Sequence, residues 1–161
     1  MYSLRFDTHS AQETHQLGCR IGTCLKPGDV LLLTGDLGAG KTQFSQGVGV
    51  ALGVEESILS PTFNILLVHH GMRDGQPITL DHWDLYRLDD ADELFDVDYF
   101  AHVASEAISL VEWGDKFTDT LIDAALELVF TRTSEQERYI EAKPHSPRGA
   151  ELIEQLSGLD G

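Results

Sequence analysis

The run Val30-Leu31-Leu32-Leu33-Thr34-Gly35-Asp36-Leu37-Gly38-Ala39-Gly40-Lys41-Thr42 decides the fold. Its second part reads G-x-x-x-x-G-K-[ST], the loop that cradles phosphate in P-loop nucleotide binders. Its first part, Val30–Thr34, is almost wholly apolar and suits a strand buried on both faces. Downstream, Phe44, Val48, Ala51 and Leu52 recur at i, i+4, i+7 and i+8, one face of a helix. Strand, glycine loop, helix is the context in which such a loop binds nucleotide. Glycines let the backbone approach an anion closely, and the amides of a helix N-terminus favour negative charge. The candidate nucleotide-binding run is therefore Gly35, Asp36, Leu37, Gly38, Ala39, Gly40, Lys41, Thr42 and Gln43. Lys41 is placed to reach the β/γ-phosphates, and the Thr42 hydroxyl to bind Mg²⁺.

Composition bounds the rest. At 161 residues the chain reads as one domain, 1–161, without repeats or low-complexity linkers. No apolar run approaches the roughly 18 residues of a membrane span. Met1–Asp7 lacks the apolar stretch of a signal peptide, so the chain reads as cytoplasmic with no membrane partner. Cys19 and Cys24 have neither redox nor zinc spacing and would lie about 140° apart on a helix, which makes them free thiols. A net charge of −16 argues against this chain alone gripping a nucleic-acid backbone and suits docking to a basic protein surface. Acids concentrate from Asp81 to Asp98, where only Arg87 opposes them.

The pattern of elements predicts an α/β, three-layer P-loop NTPase-like domain. Its central sheet is mostly parallel and flanked by helices, with a C-terminal strand pair. Ser3–Asp7 reads as a strand. Ser10 and Glu13 form a capping box ahead of a helix striped with Leu17, Ile21, Cys24 and Leu25 and stopped by Pro27-Gly28. Gly47 and Gly49 weaken the helix after the loop, and close packing on the sheet is the expected compensation. Phe63–His70 and Ile78–Leu85 read as strands joined by a turn at Gly71 and Asp74-Gly75, Ala91–Phe100 as a helix, and Ile108–Val111 as a second buried strand. Leu121–Thr131 and Arg138–Ala142 form a late hairpin through Ser134-Glu135, and Arg148–Leu156 a terminal helix.

Triphosphate hydrolysis calls for an acid at the C-terminal end of a strand beside the loop. Glu112, which ends the run Ile108–Val111, and Asp84, near the end of Ile78–Leu85, both qualify. Each carboxylate can ligate Mg²⁺ directly, act through a bound water, or orient the attacking water. His82 reads as a packed histidine, since His69, His70 and His82 do not make a zinc spacing.

Four segments in order carry a more specific likeness: Gly35–Thr42; Ser60-Pro61-Thr62-Phe63; His82-Trp83-Asp84-Leu85-Tyr86-Arg87; and Val111-Glu112-Trp113. Together they resemble the TsaE (YjeE) family, P-loop ATPases of bacterial tRNA threonylcarbamoyladenosine synthesis, over about residues 1–120. The resemblance implies ATP and Mg²⁺ as ligands and slow hydrolysis by the isolated chain. It implies TsaB and TsaD as partners, with tRNA met only through that complex. The ATPase cycle would reset the complex between turnovers, while TsaD transfers the group to adenosine 37 of tRNAs reading ANN codons. It also implies that Thr62 lies in a switch-like loop beside the γ-phosphate, that Asp84 and Glu112 are the acids at the metal, and that Trp113 lies near the nucleotide. Tyr86 and Arg87 fall to structure or partner contact. The family usually carries a glycine in the stretch matching Leu94–Tyr99, and none stands there in this chain.

Two other readings fit the loop. A small-molecule kinase would need an arginine-rich lid, for which 11 Lys and Arg in the whole chain leave little room. A nucleotide-binding interaction module would bind ATP without hydrolysing it. No N-K-x-D segment supports a GTPase.

Overall fold

The computed structural model describes residues 2–36, 38–56, 58, 65–113, 116–117 and 124–159. The strands are β1 (Leu4–Thr8), β2 (Val30–Thr34), β3 (Leu66–Arg73), β4 (Gln76–Asp84), β5 (Ile108–Glu112), β6 (Leu126–Arg132) and β7 (Arg138–Pro144). The helices are α1 (Ala11–Cys24), α2 (Lys41–Ala51), α3 (Glu93–Asp96), α4 (Tyr99–Val103) and α5 (Pro147–Leu159). All seven strands form one sheet in the order β1-β7-β6-β2-β5-β4-β3. The β6-β2, β2-β5 and β5-β4 pairings are parallel, whereas β1-β7, β7-β6 and β4-β3 are antiparallel. The centre is thus parallel and the edges antiparallel, with β6 and β7 as the C-terminal pair. Residues 121–123, at the start of the expected late strand, lie outside the described residues.

Alternation along β2 builds two cores. Leu31 and Leu33 face a core shared with Leu17, Ile21 and Leu25 of α1, Phe44, Val48 and Leu52 of α2, and Leu152, Ile153 and Leu156 of α5. Val30 and Leu32 face a smaller core with Trp83, Val111, Leu94 of α3 and Tyr99 of α4. Two helical layers with a sheet between them give the three-layer architecture. Among the described residues, no helix is long and apolar enough to cross a membrane. Cys19 and Cys24 are free and half-buried, and burial pushes the Cys19 thiol pKa up, which favours its protonated, inert form.

Three expectations change. Gly47 and Gly49 do not pack on the sheet. A Cβ on Gly47 would lie 2.0 Å from the His15 carbonyl oxygen of α1, and one on Gly49 would lie 2.3 Å from Ile58 Cδ1. From the other side, a Cβ on Gly18 would lie 2.1 Å from the Phe44 carbonyl oxygen. The two helices touch backbone to backbone through Gly18 and Gly47, while Gly49 makes room for Ile58, so their cost in helix propensity is offset by close packing. Second, Gly71 is a strand residue paired with Ile78, not part of a turn. The turn is Asp74-Gly75 alone, with φ of 54° and 77° at its two residues, as a two-residue hairpin between right-twisted strands demands.

Third, Ala91–Phe100 is not one helix. It breaks at Asp98, whose φ is 57°. On a continuous helix Leu94 and Tyr99 would sit about 140° apart. The break lets both enter the smaller core, where each is fully buried. An aspartate in left-handed conformation thus marks the break, and aspartate is among the few residues that tolerate it.

Glycine-to-alanine changes inside helices normally stabilise by up to about 1 kcal/mol. Gly47→Ala should do the opposite, lowering stability by about 2 kcal/mol or more because helix α1 must move. Gly158→Ala in α5, where among the described residues nothing outside its chain neighbours and the helix's own backbone lies within 4 Å of the added Cβ, should be neutral or stabilising. Urea denaturation of both variants checks the pair, and a stable Gly47→Ala protein would refute the close α1–α2 contact.

Candidate functional site

The parallel strands β2, β4, β5 and β6 end on one edge of the sheet, where ligands of open α/β sheets sit. The loop between β2 and α2 lies there. Its shape depends on two close constraints. Gly40 has φ of 105°, and a Cβ on Gly35 would lie 2.7 Å from the Phe130 carbonyl oxygen. The contrast between helix starts is informative. At α1 the Ser10 hydroxyl accepts a hydrogen bond from the Glu13 amide at 3.1 Å, and the Glu13 carboxylate accepts one from His9 at 3.1 Å. At α2 the capping position is Gly40, and among the described residues no side chain caps the first turn. Helix N-terminal amides without a protein cap are an anion site. Thr42 and Gln43 sit half-buried in that turn, Ala39 is buried with its amide donating to the Asp36 carbonyl at 3.1 Å, and Asp36 itself is exposed. Leu37 and Thr62 lie outside the described residues.

Lys41 is 6% exposed, rare for an ammonium. Its Nζ donates to the Gly35 carbonyl at 2.8 Å, lies 3.8 Å from Glu112 Oε1, and stands 4.7 Å over the Trp113 ring. Parallel pairing of β4 with β5 puts Asp84 in register with Glu112. Asp84 Oδ1 accepts the Tyr86 amide at 3.0 Å. Burial, and secondarily the Glu112 charge, raise the Asp84 pKa, partly offset by the Tyr86 amide, Lys41 and His82. Two crowded acids with one lysine make a place that favours a further cation. Among the described residues no group of three His, Cys, Asp or Glu could cage a metal. The Thr42 hydroxyl and these carboxylates are the groups here that could hold Mg²⁺ together with phosphate oxygens.

His82 does more than pack. Fully buried, its Nε2 lies 2.7 Å from Glu112 Oε2 and fixes the carboxylate from the side opposite Lys41. The signal was present in the sequence: His82 and Asp84 are two apart in a strand, so they share a face. Arg138 carried no such signal. From β7, its Nη2 donates to the Gly38 carbonyl at 3.2 Å, while Nη1 donates to the carbonyls of Ser134, Glu135 and Glu137 at 3.0, 3.3 and 2.9 Å. It ties the β6–β7 hairpin tip to the glycine loop.

Trp113 follows Glu112 with φ of 65° and is half-buried. Its ring meets Tyr86 at 5.1 Å between centroids. With Leu33, Thr34, Gly35, Asp36 and Lys41 it lines a cleft of about 140 Å³. That is room for phosphate groups but not for a nucleoside as well, since small-molecule pockets start near 300 Å³.

An uncapped helix after a glycine loop, with a buried lysine facing two strand-end acids, defines a P-loop nucleotide-binding protein. Comparison with known proteins narrows this class. The family model described as "Threonylcarbamoyl adenosine biosynthesis protein TsaE" matches residues 8–140. The tRNA threonylcarbamoyladenosine biosynthesis protein TsaE of Bacillus subtilis (strain 168) is 36% identical over 160 residues, covering 99% of this chain and 98% of its own. That of Treponema pallidum (strain Nichols) is 38% identical over 118 residues, covering 73% and 84%. The crystal structure of Bacillus subtilis YdiB superposes with a TM-score of 0.78 at 31% identity, over 99% of this chain and 97% of that one. The chain belongs to the TsaE family.

Asp84→Asn removes a carboxylate that the fold holds at a raised pKa while keeping an acceptor for the Tyr86 amide. Ionising Asp84 opposes folding above its raised pKa, so at neutral pH the metal-free Asn variant should melt higher than wild type and show a smaller Mg²⁺-induced stabilisation. Thermal melts with and without Mg²⁺ and nucleotide check this, and an unchanged Mg²⁺ response would take Asp84 out of the metal site.

Proposed function

We propose that this chain is a Mg²⁺-dependent ATPase of the cytoplasm that supports threonylcarbamoylation of adenosine 37 in tRNAs reading ANN codons. It would act with TsaB and TsaD, resetting their complex between turnovers and meeting tRNA only through it. The observation that carries this reading is the convergence of buried Lys41 and the registered acids Asp84 and Glu112 on the uncapped start of α2. The B. subtilis and T. pallidum relatives are named for this biosynthesis.

The residues divide the work by chemistry. Loop amides from Gly35 to Gln43 would bind the β/γ-phosphates of ATP, with Lys41 as the point charge among them. Thr42, Asp84 and Glu112 would hold Mg²⁺, which when bound neutralises charge on the phosphate oxygens. Glu112, held between Lys41 and His82, would order the attacking water, directly or from beside the metal. Trp113 would border the phosphates through its contact with Lys41, and Thr62 would lie beside the γ-phosphate. Catalysis in such a site is positioning and charge stabilisation. Arg138 is held by four backbone carbonyls at the outer wall of the loop. A basic group supplied in trans by a partner would add charge stabilisation at the transferring phosphate. Such groups raise rates ~10³–10⁵-fold where they are used.

Lys41→Ala should lose ATP binding, measured by calorimetry. Glu112→Gln should keep binding while hydrolysis falls by roughly 10²-fold or more. His82→Leu should lower kcat with little change in KM, because it leaves Glu112 unfixed. The isolated chain should turn over slowly and accelerate when TsaB, TsaD and tRNA are added. Equal rates with and without them, or unimpaired hydrolysis by both Lys41→Ala and Glu112→Gln, would overturn the proposal.

A further inference from the structure

The segment from Tyr86 to Asp96 leaves two large aromatic rings in solvent. Tyr86 is 62% exposed and Phe95 is 66% exposed. Their surroundings are packed. Leu85, Leu88 and Leu94 anchor the segment in the smaller core, and Lys116 Nζ donates to the carbonyls of Tyr86 and Leu88 at 2.7 and 2.6 Å. The Asp89 amide donates to the Glu93 carboxylate at 3.4 Å, joining the turn after β4 to α3. Phe95 also packs on Phe100 at 4.9 Å, which packs on Tyr99 at 5.3 Å. The rings are therefore presented on buried, hydrogen-bonded supports. Asp89, Asp90, Asp92 and Asp96 of the same segment are exposed.

Exposed aromatics fringed by charge mark contact surfaces on soluble proteins. The charge selects the partner. A chain of net charge −16 repels nucleic acid and anionic lipid, and this segment is its densest acidic stretch. The complementary surface is basic. Arginine suits it best, because its planar guanidinium stacks on aromatic rings while pairing with carboxylates.

The same segment adjoins the nucleotide site. The Tyr86 amide holds Asp84 Oδ1, and the Tyr86 ring meets Trp113, which covers Lys41. We propose that the Tyr86–Asp96 segment is the docking surface for an arginine-bearing basic face of a partner protein, with Tyr86 and Phe95 as its anchors. A partner seated there lies one aromatic ring away from Trp113, and Tyr86 is the element through which docking reaches the site. This deepens the functional reading above and rests on it for the identity of the partner.

The test is binding of purified TsaB–TsaD to the full chain by calorimetry or interferometry, at two salt concentrations. Phe95→Ala should weaken binding by about tenfold or more, as buried interface aromatics do, while its ATP affinity and melting temperature stay at wild-type values. The double change Asp89→Lys and Asp92→Lys should slow association and flatten the salt dependence. Tyr86→Ala should weaken binding and also reduce the partner-stimulated rate. Wild-type affinity in all of these variants would overturn the docking surface while leaving the ATPase reading intact. Absence of TsaB–TsaD binding by the wild-type chain would sink the partner assignment and this surface together. Binding of the isolated chain to tRNA or to phosphatidylserine vesicles, abolished by Phe95→Ala, would also overturn it.

Discussion

One buried ammonium governs the architecture of the site. Lys41 lies where water cannot solvate it well, so the chain must supply an acceptor and a counter-charge. Gly35 supplies the first at 2.8 Å and Glu112 the second at 3.8 Å. Gly35 stands at the far end of the glycine loop from Lys41, and Glu112 on the neighbouring strand β5. Satisfying Lys41 therefore fixes the loop's closure and its distance from β5 at once. His82 completes the arrangement by holding the other oxygen of Glu112. Without that second partner, Glu112 would be free to rotate toward Lys41 and form a tight pair that competes with a phosphate.

The position of helix α2 is the second constraint. Its N-terminus can present amides only if the helix axis meets the loop at the right height above the sheet. Glycines set that height. Gly18 and Gly47 let α1 and α2 approach until side-chain-free backbones touch, while Gly71 receives the α2 C-terminal end, a Cβ there lying 2.1 Å from the Leu52 carbonyl oxygen. The helix is clamped between α1 and β3 rather than supported by propensity. An interior with so little slack transmits displacement instead of absorbing it. Arg138 adds a tie from the outer side, so the loop is held by α1, β5 and the β6–β7 hairpin together.

Much of this was legible in the residues. The apolar run before Gly35 and the 3.6-residue stripe after Thr42 gave the central strand and helix, because periodicity reports which faces are buried. The capping box at Ser10 and the Asp74-Gly75 turn are local hydrogen-bonding and dihedral rules, and both hold. What misled the reading was equally local. Gly71 resembles a turn residue, and only the helix end above it explains why a strand needs glycine there. Ala91–Phe100 has helical composition throughout, yet burying both Leu94 and Tyr99 in one small core outweighs helix continuity and leaves Asp98 in left-handed backbone.

The sequence by itself determined the phosphate loop, the two buried strands beside it and the acids at their ends, because each is a short pattern whose physics is contained within a few residues. The tertiary structure alone decided which distant groups meet. Arg138 stands a hundred residues from Gly38, and His82 thirty from Glu112, and they touch because the strand order β7-β6-β2-β5-β4, with β7 antiparallel to β6, brings them to one edge. Strand order depends on how two cores are filled across the whole chain, and that is a global balance of burial which no local pattern encodes.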